Sequence, residues 1–139
     1  EDYDFKIGKA IEILPGKDVA IIGCGNILGN CLTAASALKE KNIDCSVINM
    51  HTIKPIDEEK IKEISENYDL VVTVEEHNII GGLGSAVSEV LSGIKSNSKL
   101  VRIGVNDFYS QGGSYEYLKN IYGLSSEKIV ETIVSNINK

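Results

Sequence analysis

The sequence predicts an α/β domain built on a doubly wound sheet of mostly parallel strands. Five short apolar runs alternate with stretches of helical spacing, and the last four runs are rich in Val and Ile without polar alternation. Such continuous runs are typical of parallel strands buried on both faces. No linker or low-complexity stretch divides the chain, so we expect one domain over residues 1–139. The predicted strands are Lys9–Leu14, Val19–Gly23, Cys45–Asn49, Leu70–Glu75 and Leu100–Gly104.

The first strand is predicted to run against the other four. It ends in Leu14-Pro15-Gly16-Lys17, which suits a type II turn with Pro and Gly in the central positions. A turn this short reverses the chain, so we expect a mixed sheet with one antiparallel strand.

Helix signals occupy the segments between and after the strands. The glycine-rich loop Gly23–Gly29 precedes a helix whose apolar face includes Cys31. Asp57 is a predicted N-cap, with Ile56 and Ile61 at the positions of a hydrophobic staple. Further helices are predicted from Ser85, over Tyr115–Tyr122 between Ser114 and Gly123 as caps, and from Ser125 to the C-terminus.

Charge and composition exclude several classes of function. The net charge is −6 and Arg102 is the only arginine, whereas nucleic-acid-binding proteins cluster Lys and Arg. No apolar run approaches the ~20 residues that span a bilayer. We therefore expect neither a nucleic-acid partner nor a membrane. The acidic N-terminus lacks a signal-peptide core, which predicts a cytoplasmic protein, and the start at Glu1 rather than Met suggests a piece of a longer chain.

The three cysteines, Cys24, Cys31 and Cys45, show no metal-ligand spacing. They lie in or beside predicted strands and on an apolar helix face, where a free cysteine behaves as a small hydrophobic residue. We expect buried structural thiols, which suits a reducing compartment.

Four loops are predicted to meet beyond the carboxyl ends of the parallel strands, where such sheets usually bind ligands. Both histidines, His51 and His77, lie in these loops. Glu76 and His77 are candidates for a general acid–base pair, because His titrates near neutral pH. The alternative is a polar loop that contacts water or another domain, which the lack of a recognisable nucleophile favours. The four loops are Gly23–Asn26, Met50–Pro55, Glu75–Gly84 and Val105–Gly113.

Two glycine-rich loops need separate interpretations. Gly23–Gly29 is one residue too long between its second and third glycines for a dinucleotide fingerprint, and the next strand ends without an acidic residue for a ribose. We expect its glycines to permit a tight turn and close helix–sheet packing. The second loop, Gly81–Gly84, precedes the Ser85 helix, and free N–H groups and the helix dipole make that helix start a candidate anion site.

Several motifs follow one another in a specific order along nearly the whole chain. The longest are Thr52–Asp57, Val72–His77 and Ile80–Glu89. Together the motifs resemble the C-terminal domain of transketolases, most closely the short or split form that divides the enzyme between two chains. The shorter matches are Ile7–Ala10, Gly16–Val19, Asp107-Phe108 with Gly113, and Tyr122–Leu124.

This resemblance implies a three-layer α/β/α domain with a five-stranded mixed sheet, whose antiparallel first strand pairs with the third. It implies a parent enzyme that binds thiamine diphosphate and a divalent metal such as Mg²⁺ between a diphosphate and a pyrimidine domain, both N-terminal to this one. The diphosphate domain's Gly-Asp-Gly motif does not occur in this sequence. The activating glutamate belongs to the pyrimidine domain, so we expect no catalytic, cofactor-binding or metal-binding residue here.

The implied function is that of a structural and assembly domain in an enzyme that moves a two-carbon ketol unit between sugar phosphates. Its expected partners are the pyrimidine and diphosphate domains, in a homodimer or a split-subunit assembly. The alternatives are the same domain of deoxyxylulose-phosphate synthase or a 2-oxoacid dehydrogenase β chain, and a free-standing module that binds an anionic regulator. The predicted interdomain or anion-contact residues are Glu75, Glu76, His77, Gly81, Gly82, Gly84 and Ser85.

Overall fold

A five-stranded mixed sheet with helices on both faces forms the domain. The computed structural model describes residues 4–107 and 112–137. The strands are β1 (Ile11–Leu14), β2 (Val19–Gly23), β3 (Cys45–Asn49), β4 (Leu70–Asn78) and β5 (Lys99–Val105). The helices are α1 (Leu28–Lys39), α2 (Glu58–Asn67), α3 (Leu83–Ser92), α4 (Tyr115–Ile121) and α5 (Ser126–Ile137), and a 3₁₀ turn at Gly25–Ile27 precedes α1.

The strands lie in the order β1-β3-β2-β4-β5. The last four strands are parallel, and β1 runs antiparallel to β3 with Ile11 opposite Asn49. This confirms the reversed first strand and its pairing with the third strand. β2 and β3 occupy the predicted residues. β4 continues beyond the predicted end at Glu75, because Asn78 still pairs with Val105 of β5 after an irregularity in register.

The predicted type II turn at Pro15-Gly16 is wrong. Gly16 does not adopt the positive φ that such a turn requires at its third position. The chain instead crosses toward β2 along the start of β3, where the N–H groups of Lys17 and Asp18 donate to the Asp44 carbonyl oxygen at 3.0 and 2.8 Å. A Cβ on Gly16 would overlap the backbone of Cys45, so this glycine is needed for close backbone approach.

Each face of the sheet has its own hydrophobic core. Alternation along β2 separates the two cores, because Val19 and Ile21 face one layer while Ala20 and Ile22 face the other. The first core is completed by α1 and α5, and the second by α2 and α3. This arrangement confirms the three-layer α/β/α fold. The buried helix residues are Cys31, Ala34, Ala35 and Leu38 of α1, Ile129 and Ile133 of α5, Ile61 and Ile64 of α2, and Leu83 and Val87 of α3.

Side chains and glycines end the helices largely as predicted. The Asp57 carboxylate caps α2 by accepting the Lys60 N–H at 3.1 Å. Ser114 caps α4, and Gly123 follows it with φ +74° while the Leu124 N–H donates to the Lys119 carbonyl oxygen at 2.7 Å. This is the left-handed termination that glycine favours. The start of α3 at Leu83, two residues before the predicted Ser85, is the exception.

Two of the three predicted buried thiols are confirmed, since Cys31 and Cys45 lie in the core. Cys24 is only partly buried at the end of β2. Within residues 4–107 and 112–137, no helix is both long and apolar enough to cross a membrane.

Candidate functional site

Three loops meet at the carboxyl edge of the sheet, as the topology requires. They surround an open cavity of about 260 Å³. Five of the seven predicted contact residues line this cavity, and the other two, Gly84 and Ser85, lie in the first turn of α3. Residues 108–111 of the predicted fourth loop, Val105–Gly113, lie outside the described part of the chain. The cavity is lined by Cys24, Ile53, Glu75, Glu76, His77, Gly81 and Gly82.

Glu75 ties the end of β4 to the start of α3. Its side chain is buried, at 1% exposure, and its two carboxylate oxygens accept the N–H groups of Leu83 and Gly84 at 2.8 and 2.7 Å. These are the first two residues of α3, whose N–H groups have no partner within the helix. A negative charge is also favourable at this end of the helix dipole. The carboxylate therefore caps α3 from eight residues upstream.

This cap corrects one prediction from the sequence. Two N–H groups of the Gly81–Gly84 helix start, which were expected to be free for an external anion, donate to Glu75 instead; they are those of Leu83 and Gly84. A Cβ on Gly82 would overlap the Glu75 carboxylate. Glycine at this position thus allows an internal carboxylate, rather than a ligand, to approach the backbone.

The remaining loop between β4 and α3 is held by its own hydrogen bonds. The Ser85 hydroxyl accepts the Gly81 N–H at 2.9 Å and donates to the Ile79 carbonyl oxygen at 3.0 Å. The Arg102 guanidinium donates to the same carbonyl oxygen at 3.1 Å. A preformed loop results, from which the Ile80 side chain projects at 62% exposure.

The predicted acid–base pair of Glu76 and His77 is not assembled in this geometry. The Glu76 carboxylate accepts a short hydrogen bond from the Tyr115 hydroxyl, and this bond raises the pKa of Tyr115 to about 12. The exposed His77 ring lies with Nδ1 2.9 Å from the Asn78 carbonyl oxygen and 3.9 Å from the Glu75 carboxylate. The two side chains therefore have separate partners and do not share a proton.

Cys24 is the one candidate nucleophile that lines this cavity. Burial raises the pKa of its thiol, and the carboxylates of Glu75 and Glu76 raise it further. Because the thiolate is the reactive form, this environment disfavours nucleophilic chemistry.

The described residues do not fit the metal or the cofactor that the resemblance implies for the parent enzyme. In residues 4–107 and 112–137 no group of three or more His, Cys, Asp and Glu side chains is arranged to hold a metal ion. The N–H groups at the start of α3, which a diphosphate would need, already bind Glu75.

Two of the three glycines in the first loop are required by the local structure, one for a turn and one for close packing. Gly25 adopts φ +73° at the turn before α1, and a Cβ on Gly23 would press on Leu28 and Cys31 at 3.1 and 3.3 Å. Gly29 has open space around its Cα. The expected tight turn and close packing are thus confirmed at Gly23 and Gly25 but not at Gly29.

Sequence reasoning missed the bracing role of Arg102. It lies on β5, where its aliphatic part packs beside Gly84 and its guanidinium holds the Ile79 carbonyl. The sequence did offer one indication, a single charged residue within an apolar strand. Such a residue indicates a position where the face of the sheet is exposed to solvent.

Fold and site together define a doubly wound α/β domain whose carboxyl edge carries a capped, preformed loop. The family model for the transketolase C-terminal domain matches residues 8–129. The chain belongs to this family.

Comparisons with known proteins agree with this assignment. The chain is 44% identical over its full length to a protein of Methanocaldococcus jannaschii assigned as a transketolase C-terminal section, and covers 43% of that protein. It is 40% identical, over 94% of its length, to 1-deoxy-D-xylulose-5-phosphate synthase of Caldanaerobacter subterraneus, covering 21% of that enzyme. A solved split-gene transketolase, an inactive beta4 tetramer, matches 96% of the chain at 37% identity with a TM-score of 0.89, and the chain covers 43% of it. The chain thus spans less than half of each relative.

Proposed function

We propose that this chain is the assembly domain of a transketolase-type enzyme, a transferase that moves a two-carbon ketol unit between sugar phosphates, and that it has no catalytic centre of its own. The observation that carries the proposal is the Glu75 carboxylate at the start of α3, which already accepts two of the N–H groups that an anion would use there. The edge is therefore suited to contact with protein rather than to binding of an anion.

The cofactors of the parent enzyme are then thiamine diphosphate and Mg²⁺, bound by pyrimidine and diphosphate domains that this chain contacts. We propose a homodimer or a split-subunit assembly. We also propose a cytoplasmic location, which the three free cysteines support because disulfides are rare in that reducing compartment. Isothermal titration calorimetry of the 139-residue chain with thiamine diphosphate and Mg²⁺ tests whether the cofactors bind to the other domains and not to this chain. We expect no heat of binding, and micromolar affinity would contradict it.

The proposed contact surface is the loop from Glu75 to Ser85 together with Ile53, which we call the edge surface. Ile80 and Ile53 are exposed apolar residues, and Ile53 lines the cavity. The internal hydrogen bonds of the loop mean that little conformational freedom is lost when a partner binds, which favours affinity. Exposed apolar groups on a preordered loop are typical of a protein interface.

An Ile80→Asp substitution tests the edge surface in the assembled enzyme. Burying an isoleucine side chain contributes about 1.5–3 kcal/mol, so we expect the Kd between this chain and the cofactor-binding polypeptide to weaken about 10- to 150-fold. Val134→Asp is the matched control. Val134 is an exposed apolar residue on α5, which packs on the opposite face of the sheet from α3. Equal affinity of the Ile80 variant and the wild type would contradict the proposal.

His77→Gln separates assembly from catalysis at the same edge. A catalytic base contributes about 10²–10⁴-fold to rate, whereas we expect this substitution to change turnover of the assembled enzyme only slightly. A hundredfold loss of turnover with assembly intact would restore the loop as a catalytic element.

The second candidate is the same domain in a deoxyxylulose-phosphate synthase. The 40% identity to such a synthase favours it, while the Glu75-Glu76-His77 motif followed by Gly81-Gly82-Leu83-Gly84 favours transketolase. Activity of the assembled enzyme distinguishes the two. Ketol transfer between sugar phosphates supports the first candidate, and formation of 1-deoxy-D-xylulose 5-phosphate supports the second.

A further inference from the structure

The segment from Asp4 to Ala10, which we call the strap, crosses the carboxyl edge of the sheet. The Gly8 N–H donates to the Thr52 hydroxyl oxygen at 2.9 Å, and the Ala10 N–H donates to the Asp57 carboxylate at 2.8 Å. The strap therefore lies along the loop that follows β3. The first described residues therefore lie at this same edge, with Phe5 against His51.

The His51 ring lies beneath the strap in an unusual state. Both ring nitrogens are shielded from solvent, and neither has a hydrogen-bond partner among the described residues. The Phe5 ring packs on the imidazole with a centroid distance of 4.4 Å and an interplanar angle of 37°. Buried polar atoms are nearly always paired, because leaving one unpaired is unfavourable. His51 is thus incompletely satisfied in the chain alone.

The part of the strap that contacts His51 is the part that can be displaced most readily. Both anchoring hydrogen bonds, from Gly8 and Ala10, lie C-terminal to Phe5. Phe5 and Ile7 remain 53% and 71% exposed. Lifting residues 4–7 would break the ring contact and the hydrogen bond from the Lys9 N–H to the Lys6 carbonyl oxygen (3.1 Å), but neither anchor, and it would open the imidazole to a neighbour.

We propose that His51 is the polar anchor of the contact between this domain and the cofactor-binding part of the enzyme. On assembly, residues 4–7 shift, and the partner supplies an acceptor such as a carbonyl oxygen to the ring N–H and a donor to the other nitrogen. The inference rests on the proposed function and names one residue of its interface.

A protein partner fits the surroundings of His51 better than a small ligand does. Three exposed apolar residues, Phe5, Ile7 and Ile53, belong to the two segments that meet at His51, and the exposed Lys6 and Lys54 stand next to them in sequence. His51 does not line the 260 Å³ cavity at the same edge. Exposed apolar side chains near an unpaired polar group, with charged residues around them, resemble an interface, in which apolar contact excludes water from a central hydrogen bond and the rim is polar.

The test uses His51→Phe, which keeps an aromatic ring against Phe5 and removes both nitrogens. In the 139-residue chain we expect a Tm within about 2 °C of the wild type or above it, because no hydrogen bond is lost. In binding to the cofactor-binding polypeptide we expect a Kd about three- to tenfold weaker, the loss typical of a hydrogen bond. His51→Gln, which retains a donor and an acceptor, should recover part of this affinity.

Three outcomes would overturn the inference. A His51→Phe chain that melts well below the wild type would show that the nitrogens are paired before assembly. Unchanged affinity of this variant, while Ile80→Asp still weakens binding, would remove His51 from the interface and leave the proposed function standing. If neither variant weakens binding, both the proposed function and this inference fail.

Discussion

Replacing Glu75 with glutamine would test whether the buried carboxylate holds the carboxyl edge together. The side chain keeps its size, but glutamine has one oxygen where the carboxylate has two. Since Leu83 and Gly84 each donate to a different oxygen, one of these N–H groups would face an NH₂ group in the variant. The favourable charge at the start of α3 would also be lost.

The expected loss of stability follows from these contacts. A hydrogen bond to a charged group contributes about 1.5–3 kcal/mol. The amide is easier to desolvate than the carboxylate, which offsets part of the loss. We expect the free energy of unfolding to fall by about 2–3 kcal/mol, which for a chain of this length lowers Tm by about 6–10 °C.

Urea and thermal unfolding followed by circular dichroism would measure the change, with Glu76→Gln as the control. Glu76 is the next residue along β4, and its carboxylate binds the exposed Tyr115 hydroxyl, so its replacement should alter stability by less than about 1 kcal/mol. Equal effects of the two substitutions, or an effect of Glu75→Gln below about 0.5 kcal/mol, would refute the capping role.

Two further predictions concern packing and thiols. Gly84→Ala should destabilise the chain by about 1–3 kcal/mol, because its Cβ would lie 2.8 Å from side-chain atoms of the sheet. Gly29→Ala on α1 is the control, because a Cβ there meets open space, and it should stabilise the chain by about 0.5–1 kcal/mol. Urea titrations measure both changes. Alkylation at pH 8 should modify Cys24 first. Burial raises the pKa of Cys31 and Cys45 from 9.0 to about 12 and cuts their thiolate about a thousandfold, so labelling of all three at one rate would contradict the buried positions.

Much of the fold is predictable from local pattern alone. β2 and β3 match their predicted bounds because short apolar runs between polar segments leave little choice of where each strand begins and ends. The cap at Asp57 was found for the same reason, since the signal lies within a few residues of the helix start. Features fixed by neighbours in the sequence were therefore predicted well.

Features fixed by contacts distant in sequence were not. The predicted type II turn is wrong because the conformation at Gly16 is set by close contact with the backbone of Cys45, which β3 brings beside it. The cap by Glu75 depends on β4 passing beside the start of α3, a geometry that no local pattern reveals. The pairing of the first strand with the third came from the resemblance, because a short turn alone would have placed the first strand beside the second.

The reversed direction of β1 determines where the domain can be tethered. Because β1 is antiparallel, its first residue, Ile11, lies beside the last residue of β3, Asn49, and the strap emerges next to the edge surface. A parallel first strand would begin at the opposite end of the sheet, about 15 Å away. A preceding domain would thus need only a short linker to reach this face, and a short linker keeps the effective concentration of the two surfaces high. If the proposed partner domain precedes this one in the same chain, the inverted strand would place the linker beside the proposed contact surface.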